Sequence, residues 1–272
     1  MRSGIALLMC LMSILVSCRK GHDTYPPPPD PVKKILLKDI IIPHLPSPYY
    51  HFEYRTDSTI AKVSFASGFS MYDVFYSGNR ISEMRNNIIV NHDTLRYLYD
   101  NMGRVAIIKF INDTGLTYRH VFLSYNDDLV KEIDWDHRVG DIGYIYDRTL
   151  TFTYFTDGNV KEIKEHRPAI DGQTEVNFVT QYDQYDDKIN VDDFALLQDG
   201  YHNHIFLPSG FRIQKNNPGK EIRTGDGDNY TVDYTYTYND DNAPLTKTGE
   251  LTFTNGSQAG QKFPVNTNYT YY

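Results

Sequence analysis

The chain has 272 residues, of which 40% are hydrophobic, and its 27 Lys+Arg against 35 Asp+Glu leave a formal net charge of −8. That length carries one large all-β domain or two small ones, with enough chain to bury a real core. It has no long basic run, which argues against nucleic acid as a partner, because phosphate binding needs clustered Lys and Arg.

The chain opens with Met1 and Arg2, followed by an apolar run from Ile5 to Val16 broken by Ser13. The run is too short to span a bilayer, which needs about 20 apolar residues. A basic start, a short apolar core and a small residue before the cut describe a secretory signal peptide. Leu15-Val16-Ser17-Cys18 resembles the lipobox of bacterial lipoproteins, in which the cysteine becomes a lipid-bearing N-terminus. Residues 1–17 are therefore read as signal peptide and Cys18 as the lipidation site, with cleavage before it. Removing Arg2 lowers Lys+Arg from 27 to 26 against 35 Asp+Glu, so the mature charge is −9. Cys10 leaves with the signal, and the mature chain can form no internal disulfide.

Residues 18–34 form the linker. Tyr25-Pro26-Pro27-Pro28-Pro29-Asp30-Pro31 favours polyproline II, a semi-rigid spacer. Val32 to Ile42 is apolar and reads as the start of the domain, a first edge strand, before a loop at Pro43, Pro46 and Pro48.

The body of the chain, residues 35–272, repeats itself. Tyr54 is followed by Ile60 and Val63, Tyr76 by Ile81 and Met84, Tyr99 by Val105 and Ile108, Tyr125 by Val130 and Ile133, and Tyr154 by Val160 and Ile163. Turn residues fill each gap, as in Ser77-Gly78-Asn79 and Asp157-Gly158-Asn159. Aromatic pairs two apart, such as Tyr97 and Tyr99, are strand alternation, and Asp, Asn and Gly supply the tight turn. Each unit is a β-hairpin. Tyr182 takes the next place, 28 residues on, and Tyr238 lies 56 beyond it, so a degenerate unit is expected around Phe206 to Ile213. A repeat of this period means that neighbouring hairpins build one continuous sheet.

Tyr97-Leu98-Tyr99-Asp100-Asn101-Met102-Gly103-Arg104-Val105 and Tyr154-Phe155-Thr156-Asp157-Gly158-Asn159-Val160 look like the tyrosine-aspartate repeats of Rhs-type proteins. With the lipobox, the proline spacer and the tyrosine-rich hairpins, the chain resembles uncharacterised lipoproteins of Bacteroides-type bacteria. The resemblance implies an all-β fold and an outer-membrane location, with no catalytic residues to carry over. One departure is Arg19-Lys20-Gly21-His22-Asp23, mostly basic where an acidic run marks surface display, so a periplasmic or surface face stays open.

The sequence has no G-x-S-x-G or H-E-x-x-H motif, and its one S-x-x-K match, Ser17-Cys18-Arg19-Lys20, straddles the expected cleavage site. His202-Asn203-His204 would put both imidazoles on one face of a strand, as a two-ligand metal half-site or as a polar loop. Asp226-Gly227-Asp228-Asn229, and Asp186-Asp187 with Asp192-Asp193, could ligate calcium or be solvated turns; the twelfth position from Asp226 is Thr237, which breaks EF-hand spacing. Trp135, the single tryptophan, is either a sugar-stacking platform or a packed core residue. Trp135, His202 and His204 are the candidate ligand contacts. No cofactor and no structural metal is expected.

The expected fold is a single all-β domain of antiparallel hairpins in meander order, forming a long, twisted, curved sheet rather than a closed barrel. The expected function is that of a non-enzymatic cell-envelope lipoprotein that binds or scaffolds an envelope protein or glycan. The alternatives are a glycan-binding module and a glycosidase using two loop carboxylates.

Overall fold

A computed structural model describes residues 34–272 apart from 171, 198–206 and 210. Sixteen strands run through the described residues. They are β1 (Leu37–Ile41), β2 (Tyr50–Tyr54), β3 (Ile60–Phe65), β4 (Ser70–Ser77), β5 (Arg80–Asn86), β6 (Thr94–Tyr99), β7 (Val105–Ile111) and β8 (Thr117–Asn126). The second half comprises β9 (Leu129–Val139), β10 (Gly143–Tyr154), β11 (Val160–Arg167), β12 (Val176–Asp183), β13 (Lys220–Gly225), β14 (Tyr230–Tyr238), β15 (Pro244–Phe253) and β16 (Lys262–Tyr271). The only helical pieces among these residues are short 3₁₀ segments.

Every strand pairs antiparallel with its neighbours in sequence, so the meander order is as expected. The sheet is not open. β1 pairs with β16, with Leu37 opposite Tyr271 and Ile40 opposite Tyr269, and the ring closes into a barrel. β1 is therefore the seam of the barrel and not an edge strand. Closure satisfies both rows of backbone N–H and C=O groups that an open meander would leave bare. The Thr270 hydroxyl adds a 2.9 Å hydrogen bond to Asp39 across the seam.

The alternation of the strands points their apolar side chains inward. Phe52, Val63, Val74, Met84, Leu95, Ile108, Val121, Ile133 and Leu150 are buried in one continuous core. The outer wall carries polar rows where Thr151 and Thr153 on β10 stand opposite Lys164 and Glu162 on β11, and Thr235 and Thr237 on β14 opposite Thr248 and Thr246 on β15, and an apolar row where Leu98, Ile107 and Phe122 are neighbours on β6 to β8.

Each tyrosine that ends a first strand sits at a bulge. The register slips at Glu53/Tyr54, Phe75/Tyr76, Leu98/Tyr99, Ser124/Tyr125, Thr153/Tyr154 and Thr237/Tyr238. A bulge adds local twist and re-aims the side chain that follows it. The hydroxyls then reach the preceding hairpin. Tyr54 donates to the Leu37 carbonyl at 2.9 Å, Tyr99 to Ile81 at 2.7 Å, Tyr125 to Val105 at 2.7 Å and Tyr271 to Pro244 at 2.6 Å. Each acceptor opens the return strand of the unit before, or, for Leu37, the seam strand. The tyrosines thus stitch unit to unit around one end of the barrel.

Arginines from the turns cover the rings. The guanidinium of Arg55 lies 5.1 Å from the ring centroid of Tyr76, Arg80 lies 5.3 Å from Tyr99, and Arg104 lies 4.6 Å from Tyr125. Gly103 makes room for one of them. Its φ is +83°, and a Cβ there would come within 2.0 Å of an Arg80 guanidinium nitrogen.

The Tyr182 register expected from the repeat is shifted. Tyr182 is buried on β12, and Tyr185 holds the unit's tyrosine place, donating to the Val160 carbonyl at 2.7 Å. The degenerate hairpin expected around Phe206 to Ile213 is absent from the described part of that stretch. Residues 184–219 are instead one long insert in the β12–β13 turn, and Leu207, Phe211 and Ile213 are buried against the inner wall.

The belt yields a paired test. Tyr99→Phe removes a hydroxyl bonded to Ile81, and should lower unfolding free energy by about 1–2 kcal/mol. The Tyr154 hydroxyl is buried with no hydrogen-bond partner among the described residues. Tyr154→Phe removes that cost and should be neutral or stabilising in the same denaturant titration. Equal losses for both would show that the hydroxyl bonds contribute nothing.

Candidate functional site in the barrel interior

A ring of sixteen strands is wide enough to leave a channel. Here the insert enters from the end where the tyrosine belt lies. Phe194 meets Tyr50 and Phe52 edge-on, with ring centroids 5.1 and 5.5 Å apart. The Leu207 N–H donates to the Tyr97 hydroxyl at 3.0 Å, and the Ser209 hydroxyl lies 2.9 Å from that of Tyr99. The Asn216 N–H donates to Asn159 at 2.9 Å on the far side, and Tyr269 donates to Asp192 at 2.6 Å. The insert touches wall residues from β2, β6 and β16 and from the β10–β11 turn, so it spans the lumen.

Asp193 holds the insert's own fold by accepting the Ile213 N–H at 2.9 Å. Burial raises its pKa, against the lowering effect of the Ile213 and Gln214 N–H groups. Asp186 accepts the Asn217 N–H at 3.1 Å and the Tyr238 hydroxyl. Asp186, Asp192 and Asp193, which a calcium reading groups together, are thus each engaged in separate hydrogen bonds. Among the described residues no three His, Cys, Asp or Glu side chains are grouped to hold a metal ion.

Charged side chains cluster inside the wall toward the opposite end, on β8 to β13. Arg148 Nε lies 3.0 Å from Glu165, Arg167 Nη2 lies 2.6 Å from the same Oε1, and Arg223 Nη2 lies 3.6 Å from Oε2. Arg119 pairs with Asp147 at 2.5 Å, and His137 Nδ1 lies 2.9 Å from the same oxygen. Burial alone would raise the Glu165 carboxyl, but Arg148, Arg167 and Arg223 outweigh it and hold its pKa below the usual carboxylate value. Glu221 accepts the hydroxyls of Tyr230 and Tyr234 at 2.8 Å each.

Trp135 belongs to this cluster. It is 3% exposed, and the Arg148 guanidinium lies 4.7 Å from its ring. A sugar-stacking platform needs an open ring face, so Trp135 is a packed interior residue. The tyrosine excess has the same explanation, since most of those rings line the barrel. Cys18, His202 and His204 lie outside the described residues. The Arg–Glu165 cluster was not legible beforehand, because Arg148, Arg167 and Arg223 look like ordinary surface charges until closure turns them inward. The one available signal was Glu165 at the inward-facing alternate position after Ile163.

None of this arrangement pairs a nucleophile with a base. No protein-family model matches the chain, and no curated protein matches it. Solved structures do. A porin-like protein from Bacteroides uniformis ATCC 8492 is 14% identical with a TM-score of 0.56, covering 88% of this chain and 95% of that one. A porin-like protein from Bacteroides vulgatus ATCC 8482 is 14% identical with a TM-score of 0.55, covering 87% of this chain and 99% of that one. At that identity the likeness is one of fold.

Glu165 carries a testable consequence. Its lowered folded pKa means that its contribution is present above the unfolded value of about 4.3 and is lost as pH falls through the folded value. Glu165→Gln should cost about 3–5 kcal/mol at pH 7, because it leaves three converging guanidinium groups without their shared carboxylate. It should also flatten the acid limb of stability below about pH 4.3. An unchanged acid limb would remove Glu165 from the ionised network.

Proposed function

We propose that this is a lipid-anchored protein of the bacterial cell envelope, a closed and filled β-barrel that binds or scaffolds another envelope component without catalysis. The observation that carries this reading is the direction of the wall. A transmembrane barrel alternates apolar outward and polar inward, with an apolar band about 25 Å tall. Here the inward positions carry Phe, Val, Ile and Leu, and the outward positions of β10–β11 and β14–β15 carry Thr, Lys and Glu, with Phe75, Leu98 and Tyr146 as outward exceptions on β4, β6 and β10.

Burying that outer wall in hydrocarbon is costly, since a single Lys or Arg on the lipid face costs about 2–4 kcal/mol at the midplane. Attachment through lipid on Cys18 is a route to the membrane that asks nothing of the wall. The lipobox-like Leu15-Val16-Ser17-Cys18 supplies it, and the porin-like Bacteroides neighbours support an envelope location. The channel that their printed name suggests does not suit a lumen occupied by the protein's own insert. The tyrosine belt supports reading the hairpins as relatives of the tyrosine-aspartate repeat. Rigidity follows from closure and filling, and leaves the loops at the barrel ends as the binding surface.

Two measurements test this. Cys18→Ala should abolish palmitate labelling and move the protein from the membrane fraction to the soluble one; unchanged labelling removes the anchor. Purified protein added to planar bilayers should give no conductance steps, and regular porin-sized steps would overturn the filled-barrel reading.

A further inference from the structure

In an up-and-down barrel alternate loops emerge at the same end. The loops at residues 42–49, 66–69, 87–93, 112–116 and 140–142 therefore share the end opposite the tyrosine belt, and they are neighbours along the rim. Each carries a large apolar side chain at or near its tip. These are Leu45, Phe69, Ile89 with Val90, Leu116 and Ile142, of which Ile89 is 95%, Val90 88% and Ile142 81% exposed. Of the remaining loops of that rim, Asp226-Gly227-Asp228-Asn229 and Asn255-Gly256-Ser257-Gln258 are polar, and the loop after β11 carries Pro168, Ala169 and a half-buried Ile170. At the belt end, Met102 is the large exposed apolar side chain among the described turn residues.

Large apolar side chains at such exposure are unusual, and five consecutive loops sharing the feature on one side of one rim make a directed surface. The tips stand on separate loops with strand ends between them, so they form prongs and not a groove. A folded protein partner would need a matching pit for each prong. A fluid bilayer interface closes around each one independently. A second copy of this chain is disfavoured by charge, because tip-to-tip contact would bring exposed Asp113 and Asp141 of both copies together.

We infer that this apolar half-rim inserts into the interfacial region of a lipid bilayer, with little demand for anionic headgroups. The inference rests on the anchored reading for one thing, proximity. Fifteen residues separate Cys18 from Lys34, so the chain keeps the barrel within about 50 Å of a membrane at full extension. β1 starts at the belt end, and strands of 8–11 residues run about 30 Å. That reach exceeds the barrel's length, so the rim can rest on the same leaflet that holds the lipid. Tethering raises the effective concentration further, so a rim that binds vesicles unaided is held at the bilayer more fully in the anchored protein.

The test uses the mature chain from residue 18 carrying Cys18→Ala, with sedimentation on phosphatidylcholine vesicles and on vesicles containing phosphatidylglycerol. Binding to both, largely independent of salt, is expected. The double substitution Ile89→Asp and Val90→Asp, and Ile142→Asp alone, should each reduce bound protein about tenfold or more. Met102→Asp at the other end should change nothing. Unaltered thermal melts keep the comparison valid, as the high exposure of these positions leads one to expect. No vesicle binding, or binding indifferent to the rim substitutions, overturns the inference. So does concentration-dependent dimerisation abolished by the same substitutions, which would assign the surface to a second copy. Palmitate labelling of the native protein is scored separately, so failure of the anchor and failure of the rim are distinguishable.

Discussion

A closed ring of sixteen strands encloses more volume than its inward side chains alone can fill, and an apolar lumen left open to water would forfeit much of the burial that stabilises a fold. The β12–β13 insert answers that constraint. It carries Phe194, Leu197, Leu207, Phe211 and Ile213 into the space, each 8% exposed or less, and ties its backbone to wall hydroxyls and amides. The tyrosines that would otherwise face water become partners for it, as Tyr97, Tyr99 and Tyr269 show. The outer wall is then free to carry polar rows.

The hairpin unit adds a second level of order. In the units of Tyr99 and Tyr125, a bulge turns the tyrosine, its hydroxyl binds the preceding unit's return strand, and an arginine from or beside a turn covers the ring. All three are local consequences of one short motif, and they act between neighbours. A ring built this way accumulates the same small step around its circumference, which favours closure over an indefinitely extended sheet. The buried Arg148–Glu165–Arg167–Arg223 group lies where the wall turns from apolar to charged. One carboxylate there orders three guanidinium groups that would otherwise repel one another.

Much of the wall was legible from the chain. The Tyr99 to Val105 and Tyr154 to Val160 spacings placed hairpins where β6–β7 and β10–β11 lie, because alternation and turn chemistry are local. Trp135 could not be assigned from its flanking Asp134 and Asp136, since the face a strand presents depends on which side the sheet curls. Tyr182 and Tyr185 are three apart and both satisfy the repeat; the wall at Val160 selected Tyr185. The segment after Leu207 carries apolar residues at strand-like intervals, yet it packs as filling because the ring already has its full set of strands.

What the sequence determined by itself is the unit: an antiparallel hairpin with a tyrosine before a polar turn, repeated in meander order. These are matters of backbone preference and side-chain period within about 30 residues. The tertiary structure alone decided that Leu37 meets Tyr271, that the sheet is therefore a barrel, and that its interior is occupied. Closure is a pairing between residues more than 200 apart, set by the summed twist and bulges of every strand between them. No local pattern contains that sum.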